Sequence, residues 1–104
     1  MIRIEIVENA SGIQKILVQG HAGQGPYGHD LCCAAVSAIL FGGYNALKDD
    51  EKAYHYDIKE GYALLEVKGK VEEKEQTILH TIEVQLESVR QSYPQNIEIQ
   101  IKKE

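Results

Sequence analysis

Apolar and polar residues alternate at the start of the chain. Ile2, Ile4 and Ile6 fall on one side of an extended backbone and Arg3 and Glu5 on the other. Period two over residues 2–7 predicts a half-buried strand. Asn9, Ala10, Ser11 and Gly12 supply turn chemistry, with Gly12 free to take positive φ. Residues 13–19 then predict a second strand, in a hairpin with the first. Gly23, Gly25, Pro26 and Gly28 rule out regular structure in the next stretch. Beyond it, Leu31 to Leu47 is apolar on nearly all sides, which predicts a buried helix with Asp30 as its N-cap. Gly42 and Gly43 each weaken a helix by about 1 kcal/mol relative to Ala, so the helix either ends there or continues to Leu47 with the glycines permitting close packing.

The second half repeats the alternation of periods. Asp49 to Lys52 is a solvated connection. Tyr54, Tyr56 and Ile58 alternate with His55 and Asp57, a third strand. Lys59 to Gly61 is a tight turn, and Tyr62 to Lys68 a fourth strand paired with the third. Val71, Ile78, Leu79, Ile82, Leu86 and Val89 recur at helical spacing within a helix from about Val71 to Tyr93. Glu72, Glu73 and Glu75 near its start and Arg90 near its end suit the macrodipole, and Pro94 stops it. Ile97, Ile99 and Ile101 alternate with Glu98, Gln100 and Lys102, a last strand. The order β-β-α-β-β-α-β describes an α/β fold of the α+β type. It forms a single domain over residues 1–104, with a mostly antiparallel sheet and two helices.

Composition narrows the function classes. The 104 residues suffice for one hydrophobic core. The net charge is −5 and the Lys and Arg residues are scattered, which argues against a phosphate-tracking nucleic-acid surface and suits a basic partner. The alternating start does not read as a signal peptide. The longest nearly apolar run, Leu31 to Phe41, is too short to span a bilayer. Cys32 and Cys33 are adjacent, and helical neighbours cannot form a disulfide without breaking the helix. Thiols in a reducing, cytoplasmic setting are therefore expected. The first helix is apolar on more faces than one small sheet and one helix can cover, so a two-fold homodimer is expected.

The candidate chemistry sits in residues 20–37. With Asp30 as N-cap, Cys32 and Cys33 occupy the second and third helical positions, where unpaired N–H groups and the dipole favour a thiolate. Three readings are open for the thiols: a buried inert cysteine, which is the commonest state, a nucleophile, or a metal ligand. His29, Asp30, Cys32 and Cys33 are too close in sequence to converge tetrahedrally without distortion. His21, at the end of the second strand, is either a turn residue or a base that takes the thiol proton and returns it to a leaving amine. Ser37 lies one turn after Cys33 and shares its face, whereas Cys32 points about 100° away. The glycines match no phosphate-loop pattern. Gly23, Gly25, Tyr27 and Gly28 read instead as a mobile lid or a plain loop. His29 is a loop residue beside the site, and His55 and His80 read as surface residues.

Gly20-His21-Ala22, then Gly28-x-Asp30, then Cys33-Ala34-Ala35-Val36-Ser37 resembles the signature of the bacterial ribosomal-processing cysteine proteases called Prp. The resemblance extends to chain length and the order of elements. It implies a catalytic dyad of His21 and Cys33, and a glycine-rich loop that orders over substrate. It also implies a homodimer, and removal of a short N-terminal extension from a large-subunit ribosomal protein after an aromatic-rich motif. Water completes such a reaction, so no cofactor and no metal are expected. Cys32 departs from the pattern, standing where the family usually has an aliphatic residue. Two other function classes are a non-enzymatic ribosome-associated or assembly factor that binds the same tail, and a thiol-based redox or metal-sensing domain.

Overall fold

A computed structural model describes residues 1–21 and 30–104. The expected lid, with Gly23, Gly25, Tyr27 and Gly28, and the loop residue His29 lie outside the described residues. The elements are β1 (Ile2–Asn9), β2 (Gly12–Gly20), α1 (Leu31–Ala46), β3 (Tyr54–Lys59), β4 (Tyr62–Val67), α2 (Glu73–Ser92) and β5 (Ile97–Lys103). They follow the expected order, with the second helix starting two residues later than its apolar pattern alone suggests.

The strands form one sheet in the order β3-β4-β2-β1-β5. β1 and β2 form the expected hairpin, Ile6 opposite Ile16, with an irregularity between Val7 and Glu8. β2 pairs with β4 through Gln19 opposite Tyr62, and β3 closes the sheet as an antiparallel hairpin with β4. The sheet is mixed rather than mostly antiparallel, because β5 runs parallel to β1 with Ile2 opposite Ile97. The reason lies in the connections. α2 carries the chain back to the end of the sheet where β4 began, so β5 repeats the direction of β4, which is also that of β1.

Alternation places Ile2, Ile4, Ile6, Ile16, Val18, Leu65 and Ile97 in one core with the inner stripes of both helices. Each such side chain contributes roughly 1.5–3 kcal/mol on burial. The opposite face carries ion pairs, with Glu5 between Lys15 at 3.0 Å and Lys102 at 2.7 Å and Arg3 near Glu98 at 3.7 Å.

α1 is not buried all round. Only Cys32, Val36, Leu40 and Tyr44 are buried, one stripe at four-residue spacing, while Leu31 is 66% and Phe41 45% exposed. A two-layer fold covers one face of a helix, and apolar composition does not change that geometry. The helix does run through its glycines, ending with the Leu47 N–H on the Gly43 and Tyr44 carbonyls at 3.2 Å. Gly43 lets α2 approach, since a Cβ there would lie 2.5 Å from Ile82 Cδ1. At the start of α2, Glu75 is 3% exposed, and its Oε1 accepts from the Tyr54 hydroxyl and the Lys48 N–H, both at 2.7 Å. This one carboxylate oxygen ties α2 to β3 and to the chain leaving α1.

Candidate active site

The chain leaves β2 at Gly20, whose φ is +92°. A Cβ there would lie 2.4 Å from the Met1 carbonyl oxygen, so the position requires glycine on two counts. The Gly20 N–H donates to the Gly61 carbonyl at 2.9 Å, and the His21 carbonyl accepts from the Met1 nitrogen at 2.5 Å. The His21 carbonyl is thus held by Met1, just before β1, and the preceding Gly20 by the β3–β4 turn. The imidazole lies over that turn, with Nε2 3.0 Å from where a Gly61 Cβ would project. Gly61 itself has φ +67°.

The thiols come from the start of α1. Asp30 is extended, and its side chain accepts from the Cys33 N–H at 2.9 Å, the expected cap. The Ala34 N–H bonds to the Asp30 carbonyl at 3.1 Å. Cys32 faces the core and is fully buried, and Cys33 is half-buried. Burial, followed by the negative charge of Asp30, pushes the Cys32 thiol up from its ordinary pKa. A thiol so placed is the wrong one to ionise.

His21 and Cys33 line one cleft of about 140 Å³. Ser37 stands on the same face of α1 as Cys33 and lines it too, as does Gly20. Phe41, Ile58, Gly61 and Tyr62 are also among its walls. These four were not singled out from sequence. A glycine turn at 59–61 was visible, but its position against His21 depends on β2 pairing with β4, which no local pattern announces. Lys59 sits over the Tyr62 ring at 4.8 Å from its centroid. His55 and His80 are exposed, as expected, and His80 pairs with Glu83 at 3.2 Å. Among the described residues no three His, Cys, Asp or Glu side chains converge as a metal site, and no helix is long and apolar enough to cross a membrane.

A half-buried thiol at a helix N-terminus, with an imidazole on the same small cleft, is an arrangement capable of acyl transfer. Residues 1–98 match the family model of the cysteine protease Prp. The chain belongs to the cysteine protease Prp family. A ribosomal processing cysteine protease Prp from Staphylococcus aureus is 34% identical, over 98% of this chain and all of that protein. The counterpart from Bacillus subtilis is 30% identical over 85% of each chain. The crystal structure of the S. aureus protease with a covalently linked product peptide superposes with a TM-score of 0.86 at 33% identity. That match covers 98% of this chain and 100% of that one. A second S. aureus structure, holding a substrate peptide, gives 0.84 at 29% identity over the same shares. Family membership makes this chain a cysteine protease, with the five-stranded mixed sheet and two helices of the Prp fold.

Proposed function

We propose that this protein is a processing endopeptidase that removes a short N-terminal extension from a large-subunit ribosomal protein, with Cys33 as nucleophile and His21 as its base. The observation that carries the reading is the cleft shared by the two side chains, one mounted on a strand end and the other on a helix start. His21 takes the thiol proton, and Cys33 Sγ attacks the scissile carbonyl carbon. The oxyanion is met by backbone N–H groups at the start of α1 or in the glycine-rich loop. The C–N bond breaks as the imidazolium gives its proton to the leaving amine, leaving a thioester. Water then adds to the thioester carbonyl as His21 takes its proton. The C–S bond breaks, the carboxylate product leaves and the thiol is restored. Asp30 acts here as a cap, and Gly20 and Ser37 shape the walls. Gly23, Gly25, Tyr27 and Gly28 form the lid in this reading.

The relatives named for ribosomal processing, and the solved complexes of one with substrate and product peptides, support a polypeptide substrate. The net charge of −5 suits a basic ribosomal tail, and the scattered cations suit no direct nucleic-acid contact. We place the enzyme in the cytoplasm, where thiols stay reduced, and away from membranes. We also infer a homodimer. Ala38, Ile39 and Ile78 line an open hollow between the helices, and Val84 is half exposed nearby, a face that a second copy would cover.

Incubation with an extended tail peptide, read by mass spectrometry, tests the activity. Two fragments are expected from the native chain. None are expected from Cys33→Ala or His21→Ala, whose thermal midpoints should stay within a few degrees because the truncations remove little packing. Near-normal turnover by either variant would remove the dyad.

A further inference from the structure

Beside the cleft lies a groove of about 780 Å³ that the mechanism does not use. Phe41 and Tyr44 of α1 form one wall, and Tyr54, Tyr56 and Ile58 of β3 form the other. Phe41 and Ile58 also line the cleft of His21 and Cys33, so the two hollows are adjacent. The rings pack on one another, Tyr44 on Tyr56 at 5.2 Å and Tyr54 on Tyr56 at 6.2 Å between centroids. Asp49, Asp50 and Glu51 also line it, with Lys48, His55 and Lys68.

The charges give the groove its chemistry, because they are unbalanced. Lys48 pairs with Glu72 at 3.6 Å, whereas Lys68 donates to the Glu51 backbone carbonyl at 3.0 Å and keeps its charge, so Asp49, Asp50 and Glu51 stand against one unneutralised cation. The side chains of Asp49 and Glu51 make no hydrogen bond or ion pair among the described residues. An acidic ligand would meet these carboxylates, and a purely apolar one would strip water from them. A long basic side chain satisfies every wall. Its stem lies along Phe41 and Tyr56, and its cation meets ring faces and carboxylates.

β3 supplies the path. It is an edge strand and runs from the groove at Tyr54 to the cleft at Ile58, four steps of about 3.3 Å each. An extended chain laid along it would put one residue at Cys33 and another, about three to five positions away, at the groove. We propose that this groove is a specificity subsite for a lysine or arginine side chain of the cleaved polypeptide, about three to five residues from the scissile bond. The proposal rests on the protease reading and names a further property of its substrate.

The test uses a series of labelled tail peptides in which each basic residue is replaced in turn by norleucine. KM is measured with the native chain, and Kd with Cys33→Ala by fluorescence anisotropy. Loss of the basic residue at one position in that window should raise both by about threefold to tenfold. The double variant Asp49→Asn, Glu51→Gln should erase that difference, and Glu98→Gln, on the far face of the sheet, should preserve it. Equal constants across the series, or a preference that survives in the double variant, would overturn the subsite while leaving the protease reading intact. Binding that shows the preference without any cleavage would support the subsite and remove the protease reading. Neither binding nor cleavage would remove both.

Discussion

Cys32 and Cys33 differ by one position and by about 100° around α1, and their thiols meet opposite surroundings. Cys32 Sγ is enclosed by core side chains that disfavour its thiolate, and Cys33 opens on the cleft that His21 shares. Limiting iodoacetamide near neutral pH should therefore alkylate Cys33 first, read by peptide mass mapping, and Cys32→Val should keep its activity. Preferential labelling of Cys32, with loss of activity in Cys32→Val, would shift the nucleophile by one residue. That the two thiols diverge was legible in the sequence, because the helical period sets neighbours about 100° apart, and the resemblance named Cys33 as the one facing the cleft. The walls of the cleft were not. Ile58, Gly61 and Tyr62 reach it through the β2–β4 pairing, a contact between segments far apart in the chain. Nothing in the local pattern of either segment selects the other.

Among elements, α1 best separates what pattern can and cannot say. Its limits and its cap follow from Asp30 and the apolar run, but an apolar run does not say which face is inside. Packing decided that by setting Cys32, Val36, Leu40 and Tyr44 inward and leaving Leu31 and Phe41 in solvent. Gly43 shows the same dependence. In an isolated helix Ala would be better there by about 1 kcal/mol. In this fold a Cβ would meet the buried Ile82 side chain at 2.5 Å. Gly43→Ala should accordingly lower the thermal midpoint by several degrees, because overpacking costs about 1–3 kcal/mol. A midpoint that rises, followed by circular dichroism, would mean that α2 can retreat without loss. The parallel pairing of β5 with β1 was likewise beyond local pattern, since alternation marks a strand and is silent on its direction.

For the molecule as a whole, acid should act through the open face of the sheet. Hydrogen bonds from Lys102 and then Lys15 hold the Glu5 carboxyl below its ordinary pKa. The pairing therefore contributes stability above the ordinary glutamate value, and the contribution is lost as pH falls through the lowered folded value. Urea midpoints measured from neutral to acid pH should fall, and less steeply for Glu5→Gln. Parallel slopes for the two proteins would show that Glu5 adds nothing. The same sheet bears on when the enzyme comes into being. β1 lies inside it, flanked by β2 and by β5, its Ile2 pairs with Gly20, and Met1 just before it donates to the His21 carbonyl. During synthesis the residues of the cleft are all present long before 97–103 have been made, yet β1 has an open side until then. Pairings of such long range form late. A chain ending before residue 97 should therefore carry β1 with one edge unpaired, and its activity toward the tail peptide should fall below that of the full chain.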